Sequence, residues 1–192
     1  MPGPMRSRGT PPGSWTGLKA RGRTSLASRS RPCGGWSGRY NQRMLISKDL
    51  ASAFNEQIGH EFGASMQYVS IAAHFSRQSL TLLSKLFLAQ ADEEKEHAMK
   101  FVRYLLDANA SVEIPAIPAP RHTFASAEEA VSLALEWENL VTKQIIALLD
   151  RATSEKDYLS HDFLEWFARE QLEEVSSIDM LLKMVRRSGE SG

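Results

Sequence analysis

The feature that most constrains this chain is a carboxylate in the middle of each of four apolar helical stripes. Apolar residues recur every three or four positions in four segments, which places each series on one face of a helix. Each series is interrupted by Glu, and buried charges are paired or bind metal because an unpaired buried carboxylate is very costly. No Lys or Arg lies in these stripes, so the neutralising cations must come from outside. The segments run from about 47 to 76, 80 to 108, 126 to 152 and 157 to 187.

The second segment carries the sharpest spacing. Glu94 and His97 stand at i and i+3, so their carboxylate and imidazole project from one helix face toward one ion. Oxygen ligands combined with an imidazole suit iron. The sequence therefore predicts an iron-binding centre inside a helical bundle. The other three stripes supply Glu61, Glu138, and the pair Glu170 and Glu174.

The connections between the segments predict how the helices are arranged. The first and second segments, like the third and fourth, are joined by only a few residues and must be antiparallel neighbours. Residues 111–123 contain Pro115, Pro118 and Pro120, which favour an extended course. An extended chain of this length reaches about 40 Å, the length of a helix of about 27 residues. The pattern predicts an all-α four-helix bundle with one long crossover between the second and third helices.

Residues 1–43 differ sharply from the rest in composition. They are rich in Gly, Ser and Pro and contain nine Lys or Arg but no Asp or Glu, so we expect a disordered basic tail. Two interpretations remain open for this tail: an organelle transit peptide, or an over-extended reading frame whose true start is Met44. The predicted domains are the tail at 1–43 and the folded di-iron domain at 44–192.

The composition also excludes several classes of function. Residues 44–192 contain 14 basic and 23 acidic residues, a net charge of −9, which argues against a nucleic-acid partner. No apolar run approaches the length of a membrane span, so we expect no membrane partner. Cys33 is the only cysteine, which excludes an intrachain disulfide and fits a reducing, cytoplasmic location.

Three stretches carry a family resemblance. Residues 61–68, Glu-Phe-Gly-Ala-Ser-Met-Gln-Tyr, resemble the first-helix signature of bacterial non-haem ferritins. Residues 91–97, Ala-Asp-Glu-Glu-Lys-Glu-His, resemble their second-helix motif, and residues 163–174 resemble the fourth-helix motif with its aromatic pair. The resemblance covers about 44 to 187 and implies a ferritin-like antiparallel four-helix bundle.

The resemblance also implies a role for each matching residue. A first iron would be held by Glu61, Glu94 and His97, and a second iron by Glu94, as the bridge, with Glu138 and Glu174. Tyr68 would donate an electron during oxygen reduction. Gln171 would line the site, and Glu93, Glu170 and Glu173 would form a weaker third site that shares Glu174.

The activity implied by the resemblance is that of a ferroxidase. The protein would oxidise Fe(II) with O2 or H2O2 and store Fe(III) as a mineral in a homo-oligomer of 24 subunits. No haem is expected, because the fourth helix lacks a second Glu-x-x-His motif, and we interpret Met66 and Met99 as packing residues. The chain ends soon after Arg187, where ferritins usually continue into a short fifth helix. The alternative is therefore an iron-binding, detoxifying protein that oxidises iron as a dimer without a storage cage.

The remaining histidines and tryptophans have simpler interpretations. His60, His74, His122 and His161 follow no ligand spacing and are expected at the surface or at an interface. Trp137 and Trp166 adjoin site residues and are expected to pack between helices or at an interface.

Overall fold

Four helices account for most of residues 44–190, the part of the chain that the computed structural model describes. They are α1 (Lys48–Arg77), α2 (Thr81–Asp107), α3 (Ala127–Glu155) and α4 (Tyr158–Glu190). The predicted segments agree with these bounds to within three residues, and the described range contains no strand. None of its helices has the length and apolarity to cross a membrane. The predicted disordered tail, 1–43, lies outside the described residues.

Side chains at the helix starts satisfy the free backbone N–H groups. Ser47 accepts a hydrogen bond from the N–H three residues further on at 3.0 Å, and Ser126 does the same at 3.1 Å. At the start of α3, the reciprocal hydrogen bond of a capping box is shifted by one residue. Glu129 accepts from the backbone N–H of Ala125, at 2.5 Å, rather than from that of Ser126.

The crossover at 111–123 has no regular secondary structure and is tied to α1 at both ends. At its start, Asn55 donates to the carbonyl of Ser111 at 3.0 Å and accepts from the N–H of Glu113 at 2.7 Å. At its end, Gln67 donates to the carbonyl of Arg121 at 2.9 Å and accepts from its N–H at 2.8 Å. The predicted long crossover is confirmed. At both ends, side-chain amides of α1 provide hydrogen-bond partners for its backbone N–H and C=O groups.

A glycine on α1 lets the crossover lie close to the helix. A Cβ at Gly59 would be 2.3 Å from Cγ of Pro115, which is far inside van der Waals contact. Any other residue at this position would push the crossover outward.

The apolar core is divided into two clusters. One contains Phe54, Phe101 and Phe167, and the other contains Phe87 and Ile178. Between the two clusters lies a layer of buried polar side chains contributed by all four helices. The layer consists of Glu61, Glu94, His97, Glu138, Gln171 and Glu174.

The expected position of His74, at the surface or at an interface, is wrong. Its side chain is buried, with ring centroids 5.7 Å from Phe75 and 5.1 Å from Phe124, and its Nε2 has no hydrogen-bond partner. The crossover brings Phe124 over α1, which the period of α1 by itself could not show. Burial, with a smaller contribution from Arg77, lowers the pKa of His74, against the opposing effect of Glu129.

The buried His74 predicts a loss of stability in mild acid. Because the pKa of His74 is lowered in the folded state, the unfolded chain binds the proton first, and stability falls as pH drops below about 6.5. We expect His74→Phe to show a smaller decrease in melting temperature between pH 7 and pH 5 than the wild type. His122→Phe, at an exposed position, is the control. Equal decreases in wild type and His74→Phe would contradict the assignment.

Candidate metal centre

Two groups of metal-ligating side chains meet inside the bundle. Glu61, Glu94 and His97 each present a ligand atom within 4.8 Å of the other two, and Glu94, Glu138 and Glu174 do the same. Glu94 belongs to both groups. The arrangement therefore offers two adjacent ion positions that share one carboxylate.

Each helix supplies part of this centre from a residue near its middle. Glu94 and His97 lie one turn apart on α2, and Nδ1 of His97 is 3.5 Å from Oε2 of Glu94. The same nitrogen is 3.6 Å from Oε1 of Glu174 on α4. The side chains of Glu61 and Glu138 are at most 1% exposed, so water does not solvate them.

Several polar atoms of the centre are buried without a hydrogen-bond partner. Among the described residues these include Oε2 of Glu61, Oε1 of Glu94, Nδ1 of His97 and Oε2 of Glu138. Each such atom costs about 1–3 kcal/mol, and more when the group is charged. Divalent cations with a preference for oxygen and imidazole would satisfy all four atoms at once, and iron is such a cation.

The protonation of the centre follows from burial and mutual repulsion. Burial, reinforced by the neighbouring carboxylates, raises the pKa of Glu61 and Glu94 well above the usual range. Burial also raises the pKa of Glu138, and burial with repulsion from Glu138 raises the pKa of Glu174 to about 9. The pKa of His97 is lowered by burial, which favours the neutral imidazole that binds metal. Without bound cations, the centre holds protons in their place.

Tyr68 lies at the edge of the centre, where it contacts Glu138. Its ring is fully buried and its hydroxyl donates a hydrogen bond to Oε1 of Glu138. Burial and the surrounding carboxylates raise the pKa of Tyr68 well above its usual value. The phenol is therefore protonated at neutral pH and can pass its proton directly to a carboxylate of the centre.

Two polar side chains that the sequence reasoning missed hold the centre in place. Gln57 donates to Oε1 of Glu61 at 2.8 Å, and Thr142 donates to Oε1 of Gln171 at 2.8 Å. Gln171 in turn donates to Oε2 of Glu174. The helical spacing could have identified both residues, because each lies one turn from a predicted ligand. Gln57 precedes Glu61 by one turn, and Thr142 follows Glu138 by one turn.

The residues expected at a third site are placed differently. Glu93 and Glu173 are exposed and Glu170 is half-buried. Within the described chain, these three carboxylates are not part of a group whose ligand atoms lie within 4.8 Å of one another. Glu93 and Glu170 do act on the centre through repulsion, since both raise the pKa of Glu174. The third site stays a prediction.

Aromatic rings close one side of the centre. The ring centroid of His97 is 5.5 Å from that of Trp166 and 5.7 Å from that of Phe167, both edge-on. Lys100 covers the half-buried Trp166 with Nζ 4.2 Å from the ring centroid. Trp166 thus packs between α2 and α4, as predicted, and fixes the plane of the imidazole. Met66 is 49% exposed in the single chain, so its expected packing stays a prediction.

The fold and the centre together define a class of protein. The bundle has four helices and one long crossover. All four helices supply carboxylates, and one of them carries a Glu-x-x-His pair. This is the architecture of di-metal carboxylate proteins. The family model described as Ferritin-like domain matches residues 51–188. The chain belongs to the ferritin family.

Individual relatives agree with this assignment. The chain is 44% identical over 134 residues to Ferritin BfrB of Mycolicibacterium smegmatis, covering 70% of this chain and 74% of the relative. It is 34% identical over 146 residues to the bacterial non-heme ferritin of Staphylococcus aureus, covering 76% and 88%. Among solved structures, the open pore ferritin of Archaeoglobus fulgidus superposes with a TM-score of 0.75 at 32% identity, covering 77% of this chain and 90% of that one.

Proposed function

We propose that the protein is a ferroxidase that oxidises Fe(II) at the buried centre and stores the Fe(III) product. The observation that carries this proposal is the pair of overlapping ligand groups joined at Glu94. Glu61, Glu94 and His97 would hold one Fe(II), and Glu94, Glu138 and Glu174 the other. The test is Fe(II)-dependent oxygen uptake by the purified protein, which a bundle without a metal centre would not show.

The ligand set favours oxidation of the bound iron. Carboxylates stabilise Fe(III) relative to Fe(II), and the shared ligand keeps the two ions close enough to act on one O2 molecule. Two Fe(II) give up one electron each, and O2 with two protons becomes H2O2. When H2O2 is the oxidant, the same two electrons and two protons convert it to two water molecules. Protons displaced from the carboxylates when iron binds are available for this step.

We expect Tyr68→Phe to separate iron binding from iron oxidation. The substitution keeps the buried ring but removes the hydroxyl that contacts Glu138, so the phenol can no longer pass a proton to that carboxylate during oxygen reduction. Anaerobic Fe(II) affinity should stay within about twofold, whereas oxidation should slow by roughly tenfold or more. The measurements are anaerobic titration and stopped-flow absorbance.

A matched tyrosine provides the control for this substitution. Tyr104→Phe removes a half-buried hydroxyl that is bonded to Ser160 at 2.8 Å, in the apolar cluster away from the centre. Its oxidation rate should equal that of the wild type. Wild-type rates in Tyr68→Phe would exclude the tyrosine from the reaction.

We infer that the ferroxidase works as a homo-oligomer, with a 24-subunit cage as the form that stores mineral. Large apolar side chains are exposed on every helix of the single chain, as expected of subunits that bury them on assembly. Examples are Val69 at 46%, Leu82 at 82%, Ile146 at 51% and Leu172 at 77%. Light scattering of the purified protein tests this, since a stable dimer of about two chain masses would contradict the cage.

We also propose that the protein binds no haem and acts in the cytoplasm. Gln171 and Glu174 of α4 stand where a symmetrical centre would need a second Glu-x-x-His pair. Addition of hemin should therefore produce no Soret band that co-elutes with the protein. A co-eluting band would contradict the proposal.

A further inference from the structure

A cavity of about 310 Å³ lies between the first half of α1 and the second half of α3. Its lining includes exposed residues, such as Ser52 and Glu56, so it reaches the surface. Its lining also includes Gln57, which is only 2% exposed and donates to Oε1 of Glu61 at 2.8 Å. The cavity therefore leads from solvent to a side chain that touches the metal centre.

Two polar atoms of residues in this lining are buried and unpartnered. Within the described residues, Nδ1 of His60 and Oε1 of Gln144 have no hydrogen-bond partner. His60 belongs to α1 and Gln144 to α3, the two helices that line the cavity, and both atoms are closed to solvent in the side-chain conformations that the structure shows. An imidazole nitrogen and an amide oxygen are both ligands of divalent transition metals.

The charges around the cavity favour a cation at its His60 end. Glu56 precedes His60 by one helical turn, so the carboxylate and the imidazole lie side by side, and both also line a second cavity of about 220 Å³. Arg151 is the only Lys or Arg in the lining, and its Nη1 is held on the carbonyl of Asp49 at 3.0 Å. Asp49 stands eleven residues before His60, about 16 Å along the helix at 1.5 Å per residue. The guanidinium is thus fixed far from the imidazole.

We propose that this cavity is a transit site for Fe(II), where Glu56, His60 and Gln144 take up the divalent ion and pass it by Gln57 to Glu61. The proposal rests on the proposed ferroxidase function, because the ion must be consumed at the centre. When the ion arrives, Glu61 exchanges the hydrogen bond from the amide of Gln57 for a bond to the ion. The site offers one carboxylate, one imidazole and one amide, fewer charged ligands than the centre, so the ion is held weakly enough to move on.

The rate of oxidation at limiting iron tests the transit site. His60→Ala and Glu56→Gln should each lower the initial rate of Fe(III) formation about tenfold when Fe(II) is below one ion per chain. At saturating Fe(II) both variants should stay within about twofold of the wild type, since the centre itself is unchanged. His161→Ala is the matched control, because this histidine lies on α4 beside Glu165 at 3.5 Å and does not line the cavity.

Binding of a redox-inert ion separates this proposal from the ferroxidase proposal. Isothermal titration with Co(II) should detect a weak site in Glu94→Ala that is absent in the double variant Glu94→Ala/His60→Ala. Wild-type rates at limiting iron in both His60→Ala and Glu56→Gln, or no Co(II) heat assigned to His60, would overturn the transit site while leaving the ferroxidase intact. Full oxygen uptake by Glu94→Ala would overturn the ferroxidase, and with it the transit role.

Discussion

Glu94→Ala is expected to abolish Fe(II)-dependent oxygen uptake, with a decrease in rate of more than about 100-fold. Glu94 is the only residue shared by the two ligand groups, so its removal leaves two residues at each iron position and no bridge between them. Three protein ligands are the usual minimum for a catalytic ion, so neither position should retain Fe(II) well. An oxygen electrode and stopped-flow absorbance at saturating Fe(II) measure the effect.

A neighbouring glutamate on the same helix supplies the control for this experiment. Glu96 lies two residues further along α2, is exposed, and pairs with Arg103 at 3.3 Å. Glu96→Ala removes the same chemical group without touching the centre and should keep the wild-type rate. Equal rates of oxygen uptake in wild type and Glu94→Ala, both correctly folded, would refute the centre described above.

The second large effect is expected on stability. Without bound iron, the folded chain keeps protons on carboxylates that ionise readily in the unfolded chain. Because the pKa of Glu174 is raised from 4.5 to about 9, the folded state binds the extra proton, and stability falls as pH rises from about 4.5 toward 9. At pH 7 this residue costs on the order of 3 kcal/mol, at 1.36 kcal/mol per pH unit. Glu174→Gln should therefore raise the melting temperature of the iron-free protein by roughly 6–12 °C.

With metal bound, the wild type should be more stable than Glu174→Gln, the reverse of the order without metal. Anaerobic Fe(II), or Co(II) as a redox-inert substitute, stabilises the wild type by about 2.7 kcal/mol at a hundredfold excess over Kd. Glu174→Gln lacks one charged ligand and should gain much less from the same addition. Differential scanning calorimetry at pH 6 and pH 8, at one scan rate, follows both effects. Glu173→Gln, an exposed neighbour, is the control. Melting temperatures of Glu174→Gln that match the wild type with and without metal would show that the carboxylate is not part of a cation site.

The helices were predictable because their information is local. Apolar residues at a spacing of three and four place all four helices to within three residues. The crossover was predictable from the length of its segment. Three prolines prevent a helix there, and the extended segment is long enough to run the length of the bundle. The glutamates stood out because a charge in an apolar stripe contradicts the surrounding pattern.

The sequence by itself determines which face of each helix is buried and which carboxylates lie on it, because the helical period is a property of a single segment. Only the tertiary structure decides which of these groups meet, because the rotation and axial offset between helices depend on side-chain packing across the bundle. It brings Glu94 into both ligand groups, sets Gln57 on Glu61, and buries His74 under the crossover. It also leaves Glu93, which the family resemblance assigned to a weaker third site, at the surface.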